Sequence, residues 1–224
     1  MDLRPYLAWN RRVSSHLSHV LWRLDLRANQ VTLFALITGI AGGVAFSFGT
    51  RQALLWGAAF IHISYILDNC DGELARLRGH VTRFGKWFDL LGDLSVDFAI
   101  WVGLFFGAWR MGFEGPLYLG LAITGSVANL VMVIAERRKG VSTSIHVMNH
   151  IQRKDNFLLS LLDVLSHNGD AIWLVWLMAL VGSPALFLIA GSVYINALWL
   201  CRLGVNFKEF TTRSQPAVAL KETA

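Results

Sequence analysis

Four aspartates occur within one 26-residue stretch of this chain, and their spacing is regular. Asp68 and Asp71 are three residues apart, and Asp89 and Asp93 are four apart. On a helix, either spacing places both carboxylates on one face. Clustered carboxylates repel one another, and an apolar environment tolerates them when cations hold them together. The stretch therefore predicts a site for divalent metal ions.

The rest of the chain is apolar enough to place this site in a membrane. Of the 224 residues, 54% are hydrophobic and 16% are charged, and the mean hydropathy is +0.48. These values are too apolar for an ordinary soluble domain and predict an all-α integral membrane protein. Two cysteines without a CxxC pair indicate neither a disulfide framework nor a zinc site. The net charge of +5 is expected to report membrane topology rather than nucleic acid binding.

The two apolar runs beside the aspartates are too short to cross a membrane alone. Sixteen uncharged residues, 52–67, precede Asp68, and the run 94–109 also has 16 residues and contains Asp97. A membrane helix needs ~20 residues, so both spans must include aspartates. The basic, glycine-containing turn at 76–85 makes the two helices antiparallel neighbours. We therefore expect all four carboxylates to converge on one cavity.

Six transmembrane helices are expected in total, preceded by an amphipathic interfacial helix at residues 3–24. The first, fourth and sixth spans are predicted at 31–49, 115–135 and 184–201. The fifth lies within 157–183, either as one tilted helix over 158–182 or as a short interfacial helix before a short span. The turn-like sequence His167-Asn168-Gly169-Asp170 favours the second alternative. Residues 3–24 could instead form a soluble helix packed on the domain.

The chain is predicted to be a single membrane domain over 1–224. It divides into an interfacial helix at 1–28, a six-helix catalytic bundle at 31–207 and a cytoplasmic tail at 208–224. Eighteen of the 20 basic residues lie before residue 31, in the loops at 76–86 and 137–154, and from residue 202 onward, whereas only Arg51 and Arg110 fall in the alternate loops. By the positive-inside rule, both termini and the aspartates face the cytoplasm.

The aspartate stretch also carries a signature. It reads Asp, two residues, Asp-Gly, two residues, Ala-Arg, a spacer, Gly, three residues, Asp, three residues, Asp. This order resembles in full the signature of the CDP-alcohol phosphotransferases. The run Asn29-Gln30-Val31-Thr32 is similar to the family's Pro-Asn-x-Thr entry, with Ala28 in place of the proline. The resemblance implies transfer of a phospho-alcohol group from a CDP-alcohol to the hydroxyl of a polar acceptor alcohol, with release of CMP.

The resemblance also implies roles for particular residues. Two ions, Mg²⁺ or Mn²⁺, would be held by the carboxylates of Asp68, Asp71 and Asp89. Asp93 would be the base that takes the proton of the acceptor alcohol, and it would contribute an edge to the metal site. The residues implied to bind the nucleotide are Asn29, Gly72, Ala75, Arg76 and Gly85, with Arg76 on the phosphates.

The sequence also indicates roles for other charged residues. Basic residues that could hold a phosphate of the acceptor alcohol, by resemblance to family members with such acceptors, are Arg137, Arg138, Arg153 and Lys154. They could instead be topology signals or contacts to anionic lipid. Glu73 and Lys86 are expected to face the headgroups or each other. Asp97 either orients a ligand or pairs with a basic residue.

CDP-diacylglycerol is the leading donor, because it is the commonest donor in the family. The sequence from Ser64 to Glu73 resembles that of family members that join polar head groups such as inositol phosphates. A CDP-inositol-type donor with an inositol phosphate acceptor is therefore an alternative. Two other functions fit aspartates in a membrane: an intramembrane polyprenyl transferase and a divalent-cation transporter. A homodimer is expected, because Gly103 and Gly107 permit a close helix approach and the family commonly pairs in the membrane.

Overall fold

The structure is a computed structural model that describes residues 9–139 and 172–197. Within these residues the chain forms seven helices: α1 Trp9–Arg23, α2 Ala28–Ser47, α3 Arg51–Leu77, α4 Arg83–Arg110, α5 Pro116–Lys139, α6 Ile172–Val181 and α7 Pro184–Ala197. The predicted all-helical class is confirmed for this part of the chain.

Three of these helices are long and apolar enough to cross a membrane. They are α2, α3 and α4, of 20, 27 and 28 residues. As predicted, α3 and α4 extend through the aspartates, and at 1.5 Å per residue each is ~40 Å long. Helix α6 occupies the place of the short span in the favoured alternative, whereas 157–171 lie outside the described residues. The total of six spans stays a prediction.

The connections between α2, α3 and α4 are short and capped. The hydroxyl of Thr50 accepts a hydrogen bond from the Ala53 amide at the start of α3, and that of Thr82 accepts from the Gly85 amide at the start of α4. These bonds satisfy amides that lack a partner in the first helical turn. Gly79, with φ of +63°, turns the chain between α3 and α4. The carboxylates of the two helices are thereby folded back towards each other.

Helix α2 lies between α3 and α4 and packs closely on both. A Cβ atom added to Gly103 would lie 2.0 Å from the Gly43 carbonyl oxygen, and one added to Gly107 would lie 2.3 Å from that of Phe46. The two α4 glycines are therefore used to approach α2 within one chain. The inference of a homodimer from this glycine pair was wrong, because α2 already occupies the glycine face.

Helix α1 packs on α3 through a polar face. The hydroxyls of Ser14 and Ser18 donate to the two carboxylate oxygens of Glu73, at 3.1 and 2.9 Å. Both serine side chains are fully buried. On the outer side, Val20 and Trp22 are half exposed. The interfacial location of this helix stays a prediction, and its serine contact with α3 was not predicted.

A second polar contact joins α1, α3 and α6. The indole N–H of Trp176 donates to Nδ1 of His62 at 2.9 Å, and Nε2 of His62 lies 3.0 Å from Oδ1 of Asn10. Because Nδ1 accepts, Nε2 carries the ring proton of a neutral imidazole and donates to Asn10. His62 thus connects three helices as a packing residue.

Candidate active site

Three of the predicted carboxylates meet between α3 and α4. One carboxylate oxygen from each of Asp68, Asp71 and Asp89 lies within 4.8 Å of the others. Asp68 and Asp71 come from one face of α3, and Asp89 comes from the second turn of α4. The three-residue spacing and the antiparallel turn therefore bring together three of the four carboxylates. The prediction that all four line one cavity was wrong for the described residues, because Asp71 lines one cavity and Asp68 and Asp93 line another.

This arrangement fits a divalent cation. Asp71 is only 6% exposed, and Asp68 and Asp89 are partly buried. Three negative charges at this separation are costly in a low-dielectric environment unless a cation or protons lie among them. Carboxylate oxygens are also the ligands that Mg²⁺ and Mn²⁺ prefer. The donor set is therefore compatible with the predicted metals.

Thr32 of α2 orients one of these carboxylates. Its hydroxyl donates a short hydrogen bond to Oδ2 of Asp71, and the Thr32 side chain is buried. A hydrogen bond to a charged acceptor is stronger than one between neutral groups. Because α2 also packs on α3 and α4, this bond ties the Asp71 rotamer to the helix between the two carboxylate-bearing helices. Thr32 belongs to the run Asn29-Gln30-Val31-Thr32, but the sequence alone indicated no role for its side chain.

A cavity of about 210 Å³ opens beside the three carboxylates. All five residues implied to bind the nucleotide line it: Asn29, Gly72, Ala75, Arg76 and Gly85. The guanidinium of Arg76 lies over Gly72, and Oδ1 of Asn29 lies 3.3 Å from the place where a Cβ of Gly85 would stand. Side chains at the two glycines would narrow this cavity. The structure therefore brings the five predicted residues together around one space.

The structure departs from the expectation for Glu73, whereas Lys86 is exposed, as a residue that faces the headgroups would be. Glu73 turns towards α1, where two serines hold it, whereas Lys86 lines the same cavity as Arg76. Both residues lie close to a helix end, so spacing alone left their neighbours open. The signal for Lys86 is its position directly after Gly85, which borders the cavity.

A second cavity, of about 430 Å³, lies on the other side of the carboxylates. Asp68, Asp89 and Asp93 line it, and Asp89 and Thr32 also line the first cavity. Asp93 faces this larger space and is not one of the three converging carboxylates. Two spaces thus adjoin one set of carboxylates, and this arrangement has room for two substrates.

The basic residues proposed for an acceptor phosphate are only partly placed. Arg137 and Arg138 belong to the last turn of α5. Arg153 and Lys154 lie outside the described residues. Their predicted role therefore stays a prediction.

The fold and the site define a helical membrane protein with a carboxylate centre between two cavities. Residues 26–183 match the model of the CDP-alcohol phosphatidyltransferases. This match covers well over half of the chain, and the chain belongs to that family. The predicted family is confirmed, and membership favours it over the polyprenyl transferase and cation transporter alternatives.

Several curated proteins are similar to the chain. The bifunctional IPC transferase and DIPP synthase of Archaeoglobus fulgidus is 26% identical over 185 residues, which cover 79% of this chain and 35% of that protein. The phosphatidylinositol phosphate synthase of Mycobacterium tuberculosis is 28% identical over 142 residues, or 61% of this chain and 63% of that protein. The chain thus matches about a third of the first relative's length and under two thirds of the second's.

Solved structures of the Mycobacterium tuberculosis phosphatidylinositol phosphate synthase have a similar fold. The complex with CDP-DAG has a TM-score of 0.53 at 20% identity, and the comparison covers 86% of this chain and 92% of that one. The complex with manganese and citrate has a TM-score of 0.51 at 20% identity, covering 94% and 93%. At this identity the likeness establishes the fold.

Proposed function

We propose that this protein transfers the phospho-alcohol group of a CDP-alcohol, with CDP-diacylglycerol as the leading donor, to the hydroxyl of a polar acceptor alcohol. CMP is the second product. The observation that carries the proposal is the position of Asp68, Asp71 and Asp89 between two cavities. The smaller cavity has the glycines and the arginine that suit a nucleotide and its phosphates. The larger one adjoins Asp93 and receives the acceptor alcohol.

In the proposed reaction the hydroxyl oxygen of the acceptor alcohol attacks the phosphorus that bears the donor's alcohol group. A new P–O bond forms, the P–O bond to CMP breaks, and its electron pair leaves on the CMP phosphate. Asp93 takes the hydroxyl proton from the side of the larger cavity. Arg76 pairs with the phosphate oxygens, because its planar guanidinium suits a bidentate contact.

The proposed cofactor is a pair of divalent ions, Mg²⁺ or Mn²⁺. Asp68, Asp71 and Asp89 hold them, and Asp93 contributes an edge to the site. When bound, such ions neutralise the charge that develops on the pyrophosphate as CMP leaves. Thr32 keeps Asp71 turned towards this position through its hydroxyl. The manganese complex of a protein with the same fold supports this choice of metals.

The relatives support an inositol-type acceptor alcohol. Several are phosphatidylinositol phosphate synthases, and one of these was solved with CDP-DAG bound. This favours CDP-diacylglycerol as donor and inositol phosphate as acceptor. A CDP-inositol-type donor remains the second candidate, because the bifunctional IPC transferases and DIPP synthases are also similar to the chain.

The proposed orientation has the site and both termini on the cytoplasmic side of the membrane. The distribution of basic residues supports it. We retain a homodimer and contacts to membrane lipid as family-based proposals, without the α4 glycines as their reason.

The proposed function is tested by release of CMP from the purified full chain in nanodiscs. CDP-diacylglycerol and a CDP-inositol donor are each combined with inositol phosphate, inositol, glycerol phosphate and serine. Acceptor-dependent CMP release that stops in EDTA and returns with Mg²⁺ or Mn²⁺ is the expected result. Absence of CMP release from every pair, in protein that binds Mn²⁺, would contradict the proposal.

A further inference from the structure

A further carboxylate lies deeper in the larger cavity. Asp97 is one helical turn beyond Asp93 on α4, ~6 Å further along the helix axis, and it lines the same 430 Å³ space. It is outside the three-carboxylate cluster. An ionisable side chain within a membrane span is costly and points to a functional role. The reaction described above gives Asp97 no task.

The orientation of Asp97 is set by Trp101. The indole N–H of Trp101 donates to Oδ1 of Asp97 at 3.2 Å. Trp101 is itself only 7% exposed. Its ring fits against Gly125 of α5 and Gly191 of α7, where added Cβ atoms would lie 2.5 and 3.2 Å from ring carbons. Three helices therefore hold the donor that positions the Asp97 carboxylate.

The surroundings of Asp97 favour hydrogen-bond donors as its ligands. The deeper wall of the cavity is largely apolar and includes Ile61, Ile100, Ile172 and Ile195. Ser64 also lines the cavity, but its hydroxyl proton is directed to the Ala35 carbonyl oxygen at 2.7 Å. Asp97 and Ser64 thus offer oxygens that accept hydrogen bonds. A ligand here must bring donors, as hydroxyl and ammonium groups do, and a phosphate would be repelled by the carboxylate. The inositol-type acceptor proposed above supplies hydroxyl groups.

We propose that Asp97, oriented by Trp101, binds a second hydroxyl of the acceptor alcohol while its first hydroxyl reacts beside Asp93. This inference rests on the proposed function and narrows its substrate class. The acceptor alcohol is a polyol whose hydroxyls span about one helical turn. Any phosphate that it carries lies away from this end of the cavity. Asp97 is thereby a specificity residue, and Trp101 is a positioning residue that acts through it.

The test compares Asp97→Ala with wild type in nanodiscs, using inositol phosphate as acceptor and CDP-diacylglycerol as donor. We expect KM for inositol phosphate to rise ~10-fold or more, the scale of a lost hydrogen bond to a charged group. KM for the donor and the Kd for Mn²⁺ should change less than about twofold, because neither ligand contacts Asp97. Asp97→Asn keeps the side-chain volume and serves if the alanine variant does not fold.

Acceptor analogues that each lack one ring hydroxyl locate the contact. In wild type, one analogue should have a KM ~10-fold above the KM of inositol phosphate, because it lacks the hydroxyl that Asp97 binds. In Asp97→Ala, this analogue and inositol phosphate should have equal KM values. Trp101→Phe should shift the acceptor KM in the same direction but less. Trp109→Phe, half exposed on the same helix, is the matched control and should leave it unchanged.

The outcomes separate this inference from the proposed function. Wild-type CMP release with an unchanged acceptor KM in Asp97→Ala would overturn the role of Asp97 alone. The role of Asp97 would also be overturned if Asp97→Ala lost as much affinity for Mn²⁺ as for the acceptor alcohol. Absence of CMP release by wild type with any donor and acceptor would overturn the proposed function and this inference together.

Discussion

The two halves of α4 use their close neighbours in opposite ways. In the second half, an added Cβ on Gly103 would stand 2.0 Å from a backbone oxygen of α2. In the first half, the nearest atom to an added Cβ on Gly92 is the methyl group of Thr32, at 3.8 Å. The first half carries Asp89 and Asp93, and Asp97 is the first residue of the second half. All three line the larger cavity, whereas Gly103 and Gly107 further along the helix pack on α2.

This difference indicates how the protein keeps a polar space open inside an apolar bundle. Glycine contacts bring backbones together at one end, where dispersion forces and the absence of side chains favour close packing. At the other end, Gly92 meets α2 only at ordinary van der Waals distance, and the carboxylates line cavities that have room for substrates and ions. The close glycine contacts at Gly103 and Gly107 fix α4 on α2 and thereby position the part of α4 that carries Asp89 and Asp93.

The largest expected effect comes from the three converging carboxylates. Asp68→Asn, Asp71→Asn or Asp89→Asn should each remove activity and weaken metal binding, because each loses a charged oxygen ligand. CMP release and Mn²⁺ titration measure the two effects. Full activity of wild type in excess EDTA would show that the site works without metal.

Asp93→Asn should separate the base from the ligands. We expect kcat to fall by ~10²-fold or more, the usual scale for a positioned base, while donor and Mn²⁺ affinity are largely kept. Single-turnover CMP release and titration of both ligands make the distinction, with Asp68→Asn as the comparison. If Asp93→Asn loses Mn²⁺ affinity as severely as Asp68→Asn, then Asp93 is chiefly a ligand.

A substitution at the close contact between α4 and α2 should change the stability of the protein rather than its activity. Gly103→Ala places a methyl group against the Gly43 carbonyl and should destabilise the fold by ~1–3 kcal/mol, as overpacking does. Thermal unfolding in detergent measures the change. Gly120→Ala on α5 is the control, since no atom lies within 4 Å of its added Cβ. Equal unfolding temperatures for the two variants would argue against a tight contact at Gly103.

Substitution of Thr32 should give the smallest change. Thr32 lies where α2 meets Asp71 and the first half of α4. Thr32→Val keeps the shape but loses the hydrogen bond to Asp71, so Mn²⁺ affinity should fall ~10-fold, as for other residues that orient metal ligands. Thr32→Ser should retain most of the affinity because it keeps the hydroxyl. A valine variant with wild-type affinity would mean that the bond does not orient Asp71.

Much of the site could be predicted from sequence because its determinants are local. The spacing of Asp68 and Asp71 on one helix, and a short turn before Asp89, require these carboxylates to meet. The glycines of the signature likewise border a cavity, since their lack of a side chain leaves the space. Helix periodicity and chain connectivity are enough for such inferences.

Partners of residues on different helices were decided by the tertiary structure. A glycine pair predicts a close approach, but only the packing of α2 decided that Gly103 meets Gly43 and not a second chain. The same holds for Glu73, held by α1 serines, and for the ring of Trp101, which fits against glycines of α5 and α7. One-helix periodicity specifies which face a residue shares, whereas the element covering that face depends on how all the helices pack together.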